Sequence, residues 1–115
     1  MVNVMRGDVV LCNLSPATGT EQAGIRPAVI VQIDRANAVS PHTIIAPFTS
    51  KIRQVLLPSH VFVPAGGLSL DSVILCEQVR VIDKSRIVRA IGHLDDVYME
   101  ELAKALATIL GLPLV

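Results

Sequence analysis

The sequence predicts a mainly β, α+β domain: a small, strongly curved antiparallel sheet or barrel of five or six short strands, closed by one helix. Three observations lead there. Short runs rich in valine and isoleucine recur between residues 9 and 91, separated by polar stretches carrying Gly, Pro, Asn and Ser. After Asp95 the apolar spacing changes from a strand period to a helical one. Finally, 51% of the 115 residues are hydrophobic but only Phe48, Phe62 and Tyr98 are aromatic, so one modest aliphatic core is expected. No repeat or low-complexity segment appears, and residues 1–115 read as a single domain.

The elements follow in order. Val9 to Leu14, after Gly7-Asp8, read as a short buried strand. Ser15 to Gly24 form a long loop with Pro16 near its start. Pro27 to Ile33 form a second strand, and Asp34 to His42 carry Asn37, Ser40 and Pro41, which is turn chemistry. Thr43 to Thr49 make a third strand, where Pro47 suggests an edge or a bulge. Lys51 and Arg53 lie on a polar connection from Ser50 to Gln54. Val55 to Val63 hold further β-type residues interrupted by Pro58, and Pro64 to Asp71 form a loop around Gly66-Gly67. Ser72 to Val81 give the cleanest strand, with Val73 and Leu75 on one face and Ile74 and Cys76 on the other. Asp83 and Lys84 turn the chain into a last strand, Arg86 to Ile91. Asp95 is a good helix N-cap, and Leu94 can staple onto Met99. Tyr98, Leu102, Leu106, Ile109 and Leu110 share one face, and Gly111 and Pro113 end the helix.

Composition excludes several function classes. No apolar run reaches the roughly 18–20 residues that span a bilayer. The N-terminus lacks the apolar region of an export signal, so a cytoplasmic protein without membrane attachment is expected. Cys12 and Cys76 are far apart in apolar patterns and are expected to be buried thiols, not a disulfide. The zero net charge hides a split. Residues 1–94 carry nine Lys/Arg and six Asp/Glu, whereas residues 95–115 carry one Lys and four acids. A mildly basic body suits a short anionic ligand at one site, not a duplex along a dense basic stripe. Three aromatics also count against a stacking platform for several bases.

Gly19 to Val31, GTEQAGIRPAVIV, is where chemistry is expected. A glycine-hinged polar loop delivers Arg26 to the mouth of an apolar strand, and Pro27 biases Arg26 toward an extended backbone. Arg26 has two readings, a surface partner for Glu21 or a planar, five-donor grip on phosphate oxygens. Thr49 ends a strand, so its hydroxyl is expected at the rim of the sheet. Glu77, Gln78 and Arg80 are expected to close the 72–81 strand, either as an exposed polar end or as readers of bases and phosphates. Thr20 and Gln22 are similar candidates in the first loop, and Glu21 is the ionised group there that could accept a proton. His42, His60 and His93 are widely separated and are expected to be structural or solvent-facing. No cluster has the spacing of a metal site, and no phosphate-binding glycine motif is present. No cofactor is expected.

The stretch RGDVVLCNLSPATGTEQAGIRPAVIVQ resembles the N-terminal signature of the MazF/PemK-like toxins, and the resemblance continues through PFTSKI, LPSHV, DSVILCEQVRVID and GHLDD. It implies an SH3-like barrel of five to seven antiparallel strands with a C-terminal helix. It also implies a homodimer and a sequence-specific, metal-independent endoribonuclease acting on single-stranded mRNA. By the same resemblance a cognate antitoxin inhibits the toxin by laying a C-terminal segment across the RNA groove and dimer interface. Arg26 matches the arginine assigned as catalytic in the family's G-x-[ST]-E-Q-x-G-x-R-P pattern, and Thr49 matches its second catalytic position. Some relatives are similar to CcdB, a gyrase poison that binds protein and does not cut RNA. A non-enzymatic toxin, or an inactive RNA or antitoxin binder, is therefore the alternative.

Overall fold

The computed structural model describes residues 3–52, 56–64 and 70–113. Seven strands and two helices follow one another: β1 (Asp8–Asn13), β2 (Ile25–Ile30), α1 (Asp34–Val39), β3 (His42–Thr49), β4 (His60–Val63), β5 (Ser72–Leu75), β6 (Arg80–Asp83), β7 (Ile87–His93) and α2 (Asp96–Leu110). The strands pair antiparallel in the order β4-β5-β3-β2-β1-β7, with β6 also paired to β3. This is the mainly β architecture expected, with a C-terminal helix. Arg53, Val55 and the Gly66-Gly67 loop lie outside the described residues. Among the described residues no helix is long and apolar enough to cross a membrane.

Two aliphatic cores use the two faces of the sheet. Val9, Val29, Ala46, Phe48, Val61 and Ile74 pack with Leu102 and Ala105 of α2. Val10, Cys12, Leu14, Ala28, Ile30 and Ile45 point the other way and are closed over by Ile82 and Ile87. Alternation along β1 and β2 assigns consecutive residues to opposite cores. Both cysteines are free and buried.

The helix begins and ends where expected, although the Asp95 side chain makes no capping hydrogen bond. Gly111 adopts φ 70°, and the Leu112 N–H reaches the Ala107 carbonyl at 2.8 Å, closing the C-terminus with a left-handed residue. Its buried face differs from expectation. Leu102 and Ala105 are buried, and Tyr98, Met99 and Leu106 pack beside them. Ile109 and Leu110, in the last turn of α2, are exposed and lie outside the packed face of the helix.

Three further expectations are corrected. The turn expected over 34–42 contains α1, docked by buried Asn37. The Asn37 side chain donates to the Gln32 carbonyl at 2.9 Å and accepts from Gln32 Nε2 at 2.9 Å and Thr43 Oγ1 at 2.8 Å. A fully satisfied buried amide holds a six-residue helix whose own propensity is weak. Pro47 lies neither on an edge strand nor in a bulge: β3 is central. The Val31 N–H bonds the Ile44 carbonyl, so by alternation Ala28↔Pro47 is a non-hydrogen-bonded pair and the proline nitrogen faces away from β2. On that side β6 has ended at Ile45 and β5 has yet to begin at Phe48.

The third correction shapes the site. Residues 72–81 do not form one strand: β5 stops at Leu75, a 3-10 turn occupies Cys76–Gln78, and β6 starts at Arg80. Both segments pair with β3, in the registers Phe48↔Ile74 and Ile45↔Arg80. Between those pairs β3 contributes Ala46 and Pro47, while the facing chain runs from Leu75 to Val79. The surplus is expelled as the turn. It is pinned by Cys76 N–H to the Ser59 carbonyl at 3.0 Å and Val79 N–H to the Cys76 carbonyl at 3.2 Å.

Candidate active site

A groove of about 690 Å³ opens along the sheet face that carries the second core, beyond the point where β6 covers it. Thr49, Val73, Leu75 and His60 form part of its lining. Thr49↔Val73 and His60↔Leu75 are register partners, and residues two apart on a strand share a face, so these four side chains lie in one row across β3, β5 and β4.

The first loop reaches the groove because Gln78 holds it. Gln78 Oε1 accepts the Gln22 N–H at 2.8 Å, and Gln78 Nε2 donates to the Thr20 carbonyl at 3.1 Å. A residue in the expelled turn thereby clamps a loop 56 positions earlier. Thr20, Glu21, Gln22, Glu77, Gln78 and Arg80 all line the groove with Thr49. They do not form a polar strand end: Glu77 and Gln78 sit on the turn, and Arg80 opens β6. Arg80 donates to the Leu14 carbonyl at 3.3 Å, tying the groove wall to the end of β1.

Arg26 does not pair with Glu21. Its Nε donates to the Ala23 carbonyl at 2.7 Å, while the Glu21 carboxylate accepts the Thr18 N–H at 2.6 Å. The side chain is half-buried on β2. Continuing the β2–β3 register Ala28↔Pro47 by two residues sets Arg26 opposite Thr49, on the same face. Arg26 itself is not part of the groove lining, which ends at Thr49 on that side. Thr49 is 9% exposed, and its Oγ1 accepts the Lys51 N–H at 3.2 Å. That leaves the hydroxyl proton to be donated outward.

His60 is the residue that sequence reasoning missed. Its side chain is 5% exposed and its Nε2 lies 2.9 Å from Glu77 Oε2. The partner is 17 residues away; in the sequence His60 stands in LPSHV, within the 55–63 run, and Glu77 in DSVILCEQVRVID, with nothing to link the two. The glutamate is held below the usual carboxylate range. Its partial burial opposes ionisation, but hydrogen bonds from His60, its own backbone and Ser59 outweigh that. Lys51 and Arg80 add positive charge to a groove that also carries Glu21 and Glu77. Such a mixed lining can hold a phosphate at the Thr49 end and offer hydrogen-bond acceptors further along.

Comparison with known proteins agrees with this geometry. The model of the PemK-like, MazF-like toxins of type II toxin–antitoxin systems matches residues 5–110. The chain is 46% identical over 111 residues to Endoribonuclease EndoA of Bacillus subtilis (strain 168), covering 95% of this chain and 96% of that protein. Among solved structures it is similar to MazF from Deinococcus radiodurans, with TM-score 0.85 and 27% identity over 97% of this chain and 100% of that one. A MazE–MazF structure from the same organism superposes with TM-score 0.79 and 28% identity, covering 98% of this chain and 100% of that one. With a matching family model over nearly its full length and a close relative over almost all of both chains, this chain belongs to the PemK-like, MazF-like toxin family of type II toxin–antitoxin systems.

Proposed function

We propose that this protein is the toxin of such a system, an endoribonuclease that cuts single-stranded mRNA without a metal ion. RNA carries its own nucleophile, the 2′-hydroxyl. Cleavage needs that oxygen aligned with the adjacent phosphorus, its proton removed, the crowded phosphoryl oxygens stabilised and the leaving 5′-oxygen protonated. Arg26 stabilises the phosphoryl oxygens by charge and paired N–H donation. Thr49 donates its hydroxyl to one of them. A guanidinium has no lone pair free to take a proton and is a poor general base. Glu21, on the loop that leads into Arg26, is the acceptor we assign to the 2′-hydroxyl proton. Thr20, Gln22, Glu77, Gln78 and Arg80 bind the flanking nucleotides. The toxin acts as a homodimer in the cytoplasm, and a cognate antitoxin silences it by covering the groove. The 46% identity to an endoribonuclease and the likeness to a MazE–MazF structure support these assignments.

The observation that supports the reading is the β2–β3 register Ala28↔Pro47, whose continuation by two residues would bring Arg26 opposite Thr49, a residue of the groove that the other polar candidates line. The test is incubation of the purified protein with a long, weakly structured RNA in EDTA. Native protein is expected to give discrete fragments, and Arg26→Ala none, while circular dichroism shows both folded. Intact RNA with native protein, or full activity in folded Arg26→Ala, would sink the assignment.

A further inference from the structure

Glu77 is held in the groove as no other carboxylate there is. His60 Nδ1 accepts the Leu57 N–H at 3.2 Å, which leaves the ring proton on Nε2. Nε2 then donates to Glu77 Oε2 at 2.9 Å. Ser59, itself only 4% exposed, donates its Oγ to Oε1 at 3.0 Å. One donor on each oxygen fixes the plane of the carboxylate. An ionised carboxylate has about four acceptor positions; His60, Ser59 and its own backbone N–H take three, so one remains, and the side chain is 32% exposed and lines the groove.

Distance decides what this cluster can do. Along the row Thr49, Val73, Leu75, His60, the histidine lies two strands from the threonine and is offset by two residues. Strand spacing of about 4.8 Å and a rise of about 3.3 Å per residue put them on the order of 12 Å apart. General acid–base transfer needs a contact near 3 Å. His60 therefore does not reach the ribose or phosphate that Thr49 contacts. A nucleotide flanking the cut can reach the Glu77 carboxylate instead.

Resting on the ribonuclease reading above, we propose that Ser59 and His60 are positioning residues. They present Glu77 as a fixed hydrogen-bond acceptor to the exocyclic amino group of an RNA base beside the cleaved linkage. A carboxylate accepts from cytosine N4–H, and equally from the amino groups of adenine or guanine, but repels the O4 of uracil in the same place. The pair thus sets sequence preference at one position and takes no part in bond cleavage.

The test uses the full chain and a set of single-stranded oligoribonucleotides identical except for one flanking base. The native cleavage site is mapped first, then each flanking position is varied through all four bases. Native protein is expected to favour A, C or G over U at one of these positions. His60→Ala and Ser59→Ala should each shrink that preference, by about tenfold for His60. His60→Gln, whose amide N–H can reach the same oxygen, should restore most of it. Glu77→Gln, which turns an amide donor toward the base, should move the preference toward uracil. Thermal melting establishes that each variant is folded; should His60→Ala not fold, Glu77→Gln carries the test alone. A folded His60→Ala or Glu77→Gln with the native preference within twofold would overturn the proposal while leaving the ribonuclease reading intact. A native protein that cuts no single-stranded RNA would overturn both.

Discussion

Gly7 sits at φ +93° just before β1, and a Cβ built there would come within 2.8 Å of His93 Cε1. Its N–H bonds the Ile30 carbonyl and its carbonyl accepts the Leu94 N–H, both at 2.8 Å. One residue therefore joins β2 to the segment that enters α2, in a conformation only glycine adopts cheaply. Gly7→Ala is expected to lower stability by about 1–3 kcal/mol, measured as a fall in the urea midpoint with an unchanged slope. The cysteines make a second prediction at this scale. Burial pushes the Cys12 thiol up to about 11, against the lowering pull of Arg80 and Arg86. Burial, with help from Glu77, pushes Cys76 up to about 12. Both thiols should resist alkylation at pH 8 in the native state and react in urea. The sign follows from linkage. The fold favours the protonated thiols, so their contribution is fully present below about pH 9 and is lost as pH rises through 11 to 12. A native protein that alkylates at the unfolded rate would contradict this.

The broken strand and the first loop form one functional unit at the level of elements. The 3-10 turn exists because β3 leaves too little room for the facing chain between its pairings with β5 and β6. Gln78 on that turn then makes two backbone hydrogen bonds to the loop at Thr20 and Gln22. Gln78→Ala removes both hydrogen bonds at a half-buried site, so global stability should fall by no more than about 1–2 kcal/mol. The loop should loosen instead. Hydrogen exchange at the Gln22 amide is expected to accelerate at least about tenfold, since one lost hydrogen bond of about 1.4 kcal/mol is worth that factor in a local opening. An unchanged Gln22 rate would show that the loop's own hydrogen bonds, from the Thr18 N–H to Glu21 and from the Gly24 N–H to Ser15 Oγ, hold it without Gln78.

At the scale of the whole molecule, charge and oligomeric state belong together. The acids Asp96, Glu100 and Glu101 stand on α2, whereas Arg80 and Arg86 gather at the end of β1. There Arg80 donates to the Leu14 carbonyl, and Arg86 to the carbonyls of Asn13 and Ser15. A neutral protein can thus keep a locally basic patch at the end of β1. Val81 and Val88, on β6 and β7, are 58% and 55% exposed, and the homodimer proposed above is expected to bury exposed apolar side chains of this kind. Size-exclusion chromatography with light scattering is expected to give twice the chain mass at micromolar concentration. A monomer that still cleaves RNA would show that the groove of one subunit suffices.

The amino-acid sequence by itself determined the mainly β class, the aliphatic core, the limits of α2 and the residue types of the site. Each of these is written in local information: β-branched runs, a change of period after Asp95, Gly111 at the helix end, and a polar loop leading into Arg26-Pro27. Only the tertiary structure decided the partnerships. Nothing in LCEQVRVID breaks a strand locally, with neither glycine nor proline in it; the break comes from β3, some 30 residues earlier, serving two partners. Nor does the sequence couple His60 to Glu77, or Asn37 to Gln32 and Thr43 inside a buried network. Secondary structure follows from neighbours along the chain, whereas a groove is made by the register between strands, and that is set when all of them pack together.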